Sequence, residues 1–231
     1  MHARHRIAVL AIAALALAIT APPVFAGSNM DTKGTEKGQP WTGATLIDGG
    51  KMRLGSATGS LIVDLDAKTL MIVDAAKKTA TQTSTQGLGG LALVGVLMPY
   101  YVENYKVTGH RTVAGYTCDE YSGSTDAMGH IEFKNCFAKD APGAKQTRDF
   151  MTRALLSMGS PDPKDPAVKA VLDPIGLGVI LASESVQKLD LGQAGQAPKV
   201  VHSSYEATAI KEQTIPADSF RAPAGYAVQK M

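Results

Sequence analysis

Ser185 and Lys188 have the Ser-x-x-Lys spacing, in which a lysine one helical turn away can activate a serine nucleophile. That chemistry requires a helix, whereas the residues around this pair predict a strand. In a strand, side chains three positions apart point to opposite faces. We therefore interpret this pair as a coincidence of spacing, without catalytic meaning.

Residues 87–92 (GLGGLA) match the G-x-G-x-x-A spacing of a dinucleotide-binding loop. A functional loop of this kind follows a buried apolar strand, but here the polar residues 81–84 precede it. Exported proteins also rarely meet a dinucleotide, and the N-terminal residues, described below, predict export. We therefore expect no cofactor at this position, and no other segment predicts one.

Acidic and histidine residues offer a second possible chemistry. Asp64 and Asp66 are two positions apart, so both could face one side of a strand and hold a cation, although aspartate is more common in turns. His110, His130 and His202 are widely spaced, which disfavours a metal site. A hydrolase would need one of these histidines beside a serine or an aspartate in a cleft. We rank a hydrolase as the least favoured activity.

Cys118 and Cys136 are the two cysteines of the chain, and we predict that they form a disulfide across a β-hairpin. Their midpoint, residue 127, lies in a turn-like stretch. A hairpin folded there pairs Cys118 with Cys136 and Glu120 with Lys134 on one face, and Tyr121 with Phe133 and Thr117 with Phe137 on the other. This register combines a disulfide, an ion pair and an aromatic pair.

The first 26 residues have the parts of a secretory signal peptide. Arg4 and Arg6 precede an apolar run over residues 7–19, and Ala26 ends a small-residue cleavage motif. Thirteen apolar residues are short for a membrane anchor, which needs ~20. We expect cleavage after Ala26, a periplasmic or secreted protein and no transmembrane segment in the remainder.

Composition excludes one class of partner. Two of the 23 Lys and Arg residues lie in the signal peptide, which leaves as many basic as acidic residues in the mature chain. A neutral protein has no long-range field that attracts a polyanion. Nucleic acid is therefore not expected as a partner, and the sequence leaves any protein partner unknown.

The remaining chain predicts a flexible leader over residues 27–40 and a single, mostly β domain over residues 41–231. Turn signals at residues 49–50, 66–69 and 74–78 predict hairpins. Residues 87–101 fit either a short buried helix or a flexible apolar flap.

Helices and further strands follow in the second half. Residues 145–158 predict a helix with one apolar stripe, and residues 165–172 predict a second helix that Pro174 ends. Strands return from Leu177, with Val201 to Ala209 alternating on one face. Residues 215–231 predict an irregular strap that closes the sheet.

Several motifs resemble an uncharacterised bacterial envelope family, domain-of-unknown-function family 4412. Its "tG…iaGY.C..Y" core is similar to residues 107–121, and its closing "iP…F..PaGY" segment is similar to residues 215–226. Its "gGKmR" and "iiDld" stretches resemble residues 50–53 and 62–66. The resemblance covers most of the mature chain, apart from the strongly apolar residues 87–101 and the helical residues 146–172.

The resemblance implies the fold of the outer-membrane lipoprotein carriers: an α+β, mostly β, curved antiparallel half-barrel with a few helices over its concave face. We therefore expect a periplasmic, non-enzymatic binding or carrier module for a lipid or another apolar ligand. The expected lining residues are Leu88, Leu91, Val94, Leu97, Met98, Met151, Leu155 and Met158. The alternative is a structural or interaction protein of the cell envelope without a ligand cavity.

Overall fold

The structure is a computed structural model that describes residues 27–86, 88–126, 130–158, 162, 164–189 and 199–231. Residues 1–26 lie outside the described residues, so the signal peptide stays a prediction. The described part contains twelve strands and three α-helices. The strands are β1 (Gly27–Glu36), β2 (Gln39–Asp48), β3 (Lys51–Ser56), β4 (Gly59–Asp64), β5 (Thr69–Asp74), β6 (Thr79–Ser84), β7 (Glu103–Val113), β8 (Tyr116–Thr125), β9 (His130–Ala138), β10 (Val179–Leu189), β11 (Lys199–Gln213) and β12 (Ala227–Lys230). The helices are α1 (Leu88–Leu97), α2 (Ala144–Ser157) and α3 (Pro166–Ile175).

The strands form one open, curved sheet in the order β12-β6-β5-β4-β3-β2-β1-β11-β10-β9-β8-β7. Neighbouring strands are antiparallel, except that β12 runs parallel to β6. The predicted fold class, a mostly β curved sheet with a few helices, is therefore confirmed.

Tight hairpins connect β1 through β6. Gly49, between β2 and β3, has φ of +57°, a conformation that glycine adopts readily. The carboxylates of Asp64 and Asp74 accept hydrogen bonds from the backbone N–H groups of Ala67 and Lys77 at 2.9 and 3.0 Å. Aspartate stabilises turns in this way, which is why the local sequence predicts these hairpins correctly.

The prediction of a flexible leader over residues 27–40 was wrong. Residues 27–36 form β1, which lies inside the sheet and pairs with both β2 and β11. Its segment is polar and rich in small residues, so no apolar pattern marks it. Backbone hydrogen bonds on both edges hold it in place, and these leave no signal in the side chains.

Two predictions from periodicity were also wrong. Pro174 lies inside α3, which continues to Ile175, and backbone bonds from Gly176 to Leu172 and from Leu177 to Pro174 complete its last turn. In β11, a bulge opposite residues 31 and 32 interrupts the predicted alternation of inward- and outward-facing side chains. As a result Ala209 is exposed, and Ile210 is buried instead.

The predicted disulfide between Cys118 and Cys136 is present, with its Cα atoms 5.4 Å apart. The predicted hairpin register was wrong by two residues, because Glu120 pairs with Cys136 and Tyr121 with Asn135. A disulfide needs only a Cα separation of about 4.4–6.8 Å, so the two cysteines need not be directly paired.

A shift of two residues keeps every side chain on its predicted face. The Glu120–Lys134 ion pair therefore forms, at 3.2 Å between Oε1 and Nζ. The Tyr121–Phe133 pair does not occur, and Tyr121 instead packs edge-to-face on Phe137 with 5.6 Å between ring centroids.

The C-terminal segment covers the outer face of the sheet. Ile215 and Phe220 pack with Ile62 and Val73 in an apolar cluster. A guanidinium nitrogen of Arg53 donates to the carbonyl oxygen of residue 219 at 3.0 Å. The predicted closing strap is thus observed, and it ends as strand β12 rather than as irregular chain.

Helices α1, α2 and α3 pack against the inner face. That face carries the largest apolar core, which includes Phe150 of α2, Val171 of α3 and Leu93 of α1 together with Ile47 and Met52 of the sheet. Residues 88–97 are therefore a helix, which resolves the choice between a helix and an apolar flap.

Candidate ligand-binding site

A cavity of about 790 Å³ lies between the inner face of the sheet and helices α1 and α2. Its volume falls within the range of pockets that hold drug-sized ligands, roughly 300–1,000 Å³. Most of the residues that line it are apolar or aromatic: Met30, Pro40, Trp41, Ala44, Ile47, Met52, Leu54, Leu61, Val96, Pro99, Tyr100, Met151, Val179, Ile180 and Tyr205. The hairpins of β1–β4 form its floor.

One end of the cavity is closed by buried residues. Thr147 and Met151 of α2 lie there with Ile47 and Met52 of the sheet, and each of these four is buried. Helix α2 is held over this end of the sheet by Arg153, whose Nη2 contacts the Asp66 carboxylate on the β4–β5 turn at 2.6 Å.

The other end lies at the tips of two hairpins, which we call the rim: residues 36–40 between β1 and β2, and residues 56–59 between β3 and β4. Glu36 and Lys37 are the only charged residues that line the cavity within the described part of the chain. Ser56 and Thr58 add hydroxyl groups that contact each other at 3.0 Å. Among the described lining residues, the charged side chains therefore lie at the rim, and the closed end carries none.

Trp41 lies next to the rim, and two glycines make room for it. A Cβ atom on Gly34 would lie 2.9 Å from the Trp41 ring and 2.1 Å from the carbonyl oxygen of residue 204. A Cβ atom on Gly43 would lie 2.3 Å from the carbonyl oxygen of residue 55. Side chains at these positions would force the strands apart, so glycine here lets the indole lie flat against the sheet.

A buried polar network fixes the residues that follow α1. The Asn135 side chain is fully buried, and its amide nitrogen donates to the Pro99 carbonyl oxygen at 2.9 Å and to the Tyr105 hydroxyl at 3.1 Å. The Tyr105 hydroxyl donates to the same carbonyl at 2.8 Å, and the Ser183 hydroxyl donates to the Asn135 amide oxygen at 2.7 Å. Three strands thereby hold Pro99 and Tyr100 in the cavity wall.

The tyrosine hydroxyls in the wall are uncharged. Burial raises the pKa of Tyr100 well above its ordinary value, and the neighbouring Tyr205 and Tyr105 raise it further. Burial likewise raises the pKa of Tyr205. Both phenols stay protonated at neutral pH, so they bring hydrogen-bonding groups to the cavity without charge.

Of the eight lining residues expected from the sequence, the structure places Met151 in the cavity wall. Leu97, Met98 and Leu155 are buried in the apolar cores, and Val94 packs against the core that contains Met98. Met158 is 37% exposed, and the side chains of Leu88 and Leu91 lie outside the described part.

Sequence reasoning missed the sheet as the main wall of the cavity. The signal was present, because Thr45 and Ile47, then Met52 and Leu54, alternate along adjacent strands, with Leu61 next in line. Alternation of this kind indicates one inward face. The lining residues expected from the sequence lie instead in or next to α1 and α2.

The residues considered above for catalysis, cofactor binding or cation binding lie in ordinary strands, helices and turns. Ser185 and Lys188 lie in β10, as expected for a chance match. Residues 88–92 belong to α1, and Gly87 lies outside the described residues. Asp64 pairs with Lys51, and this contact, together with the turn hydrogen bond, lowers the pKa of Asp64 against the opposing effect of burial.

Two of the three histidines in the described part contact carboxylates on the surface, and the third, His202, is exposed. His110 lies 2.7 Å from Asp119, and His130 contacts Asp126 at 2.8 Å and Glu132 at 3.3 Å. No group of three or more His, Cys, Asp or Glu side chains in the described ranges is placed to hold a metal ion. None of the helices in those ranges is long and apolar enough to cross a membrane.

No protein-family model matches the chain, and no curated protein does either. The resemblance to family 4412 therefore stays a prediction. Solved structures with a similar fold include an uncharacterised conserved protein from Thermus thermophilus, with 9% identity, 90% of this chain and 92% of that chain covered, and a TM-score of 0.47.

Two further structures are similar at the same low level. MucB in complex with MucA from Pseudomonas aeruginosa has 12% identity and a TM-score of 0.44, with 89% of this chain and 58% of that chain covered. The Mycobacterium tuberculosis lipoprotein LppX has 7% identity and a TM-score of 0.38, with 83% and 90% covered. Similarity this low supports no conclusion about what this chain binds or does.

Proposed function

We propose that this protein is an exported, non-enzymatic binding or carrier module that holds an apolar ligand, such as a lipid, in the cavity between the sheet and helices α1 and α2. The observation that supports the proposal is the cavity itself, which is preformed and lined mainly by apolar side chains, and whose described lining carries no charge away from the rim. The expected export through a signal peptide is part of the proposal.

The physical basis is the burial of hydrocarbon. Each methylene group moved from water into an apolar site contributes about 0.8 kcal/mol. A wall of methionine, isoleucine and aromatic side chains suits such a ligand, since methionine adapts its shape to irregular neighbours. A catalytic role has no comparable support, because none of the described histidines, His110, His130 and His202, lines the cavity.

The test is direct detection of the ligand. Organic extracts of the purified protein are analysed by mass spectrometry, and uptake of a fluorescent fatty acid is measured on the delipidated protein. We expect a co-purified lipid and saturable uptake. Absence of both would leave the alternative, a structural or interaction protein of the cell envelope.

A matched pair of variants connects binding to this cavity. Thr45→Phe places a ring in the cavity wall, whereas Thr42→Phe lies on the same strand outside that wall. We expect T45F to lose uptake and T42F to retain it, with both variants folded by circular dichroism. Equal uptake by the two variants would place the ligand elsewhere.

A further inference from the structure

We infer, building on the proposed function, that the ligand is a single-chain amphiphile with its polar group at the rim and its hydrocarbon tail directed towards α2. Three features of the cavity support this assignment: the position of its charged residues, its length and its volume.

Of the lining residues that the structure describes, the charged ones lie at one end of the cavity. Glu36 and Lys37 lie at the rim, where both are exposed, and Gln39, Ser56 and Thr58 surround them with further hydrogen-bonding groups. A polar head placed here keeps its contact with water and gains partners. At the closed end the same head would be stripped of water beside buried apolar side chains, which is unfavourable without a compensating hydrogen bond.

The length of the cavity suits an extended chain. From Gln39 at the rim to Ile47 near α2 the path follows eight residues of β2, about 27 Å at the usual strand rise. One lipid tail spans half of a bilayer core of about 30 Å, or ~15 Å. An extended tail therefore fits between the rim and the closed end.

The volume favours one chain over two. A cavity of about 790 Å³ lies within the range of pockets that hold drug-sized ligands, roughly 300–1,000 Å³. A fatty acid with one compact polar group is a ligand of that size, whereas a diacyl phospholipid is far larger.

Trp41, the single tryptophan of the chain, provides a built-in reporter because it lies beside the rim. Stearic acid carrying a doxyl quencher near its carboxyl group is compared with stearic acid carrying the quencher near its methyl end. At equal occupancy, measured by isothermal titration, we expect stronger quenching of Trp41 by the label near the carboxyl group.

A second variant moves the reporter to the closed end. In the double variant W41F/M151W we expect the order of the two quenchers to reverse. Because the wild-type measurement needs no substitution, the test stands even if the double variant does not fold.

Affinity measurements test the ligand class. Among saturated fatty acids that still fit, each added methylene should tighten binding about fourfold, equivalent to ~0.8 kcal/mol. Lysophosphatidylcholine should bind, and dipalmitoyl phosphatidylcholine in vesicles should not be extracted.

The outcomes separate the two proposals. If no labelled acid binds and no lipid co-purifies, the proposed function fails; if a lipid co-purifies but no single-chain acid binds, the assignment to a single-chain amphiphile is wrong. If the acids bind but the quenching order at Trp41 is equal or reversed, the orientation is wrong while the function stands. If the diacyl lipid binds as tightly as the single-chain lipids, the assignment to one chain is wrong.

Discussion

Replacing Asn135 should show how much the buried hydrogen bonds behind the cavity wall contribute to stability, apart from the packing of the side chain. Its side chain is fully buried and takes part in three hydrogen bonds, with Pro99, Tyr105 and Ser183. Asn135→Leu keeps a similar volume and removes all three. At 0.5–1.5 kcal/mol per hydrogen bond, the expected loss of stability is about 3 kcal/mol.

For a chain of this length, that loss corresponds to a fall in Tm of about 6–12 °C. The assay is thermal and urea unfolding followed by circular dichroism. Ser183→Ala provides the matched partner, because its hydroxyl donates to Asn135. In the wild-type background S183A should cost at least about 1 kcal/mol, since it leaves the buried amide oxygen without its donor.

The decisive comparison sets the effect of S183A in the N135L background against its effect in the wild type. In N135L the Ser183 hydroxyl is buried without an acceptor, so removing it should be neutral or stabilising. The coupling energy between the two sites should therefore reach at least about 1 kcal/mol. Strictly additive losses, or an N135L protein as stable as the wild type, would refute the role given to this network.

Two further predictions concern the disulfide between Cys118 and Cys136 and the surface residue His130. The bridge between Cys118 and Cys136 spans 18 residues, and its removal in C118A/C136A should lower the free energy of unfolding by about 3 kcal/mol. An unchanged Tm in this variant would contradict the prediction. The hydrogen bond to Asp126, aided by Glu132, raises the pKa of His130 above 6.5. The stabilisation that this ion pair gives the folded protein is complete below about pH 6.5 and is lost as the pH rises through the raised pKa. An NMR titration should show a lower pKa for His130 in D126N than in the wild type. The same pKa in both proteins would exclude the ion pair.

Local signals predict the hairpins well and the central strand poorly. The turns after Asp64 and Asp74 are stabilised by hydrogen bonds between residues three apart, so short stretches of sequence contain all the information they need. Strand β1 depends instead on β11, whose paired residues lie more than 160 positions away. Its small polar residues suit a closely paired central strand, but nothing in its own sequence shows that such a partner exists.

The disulfide hairpin shows the same limit at a finer scale. Alternation assigns Tyr121 and Phe133 to one face correctly, because a shift of two residues leaves faces unchanged. In the observed register Tyr121 packs on both Tyr105 and Phe137, with centroids 5.8 and 5.6 Å apart, and Tyr105 comes from β7. The hairpin therefore makes contacts with a third strand that its own sequence does not contain.

The cavity could not be derived from any one segment, because its shape comes from the curvature of the whole sheet. Glycines such as Gly34 and Gly43 allow β1–β3 to approach each other and leave room for Trp41 at the rim. Helix α2 closes the far end because Phe150 and Met151 pack with Ile47 and Met52 of the sheet, and Arg153 adds a contact to Asp66 on the β4–β5 turn. The polar rim and the apolar closed end are therefore assembled from residues distant in sequence, and this asymmetry gives a bound amphiphile its direction.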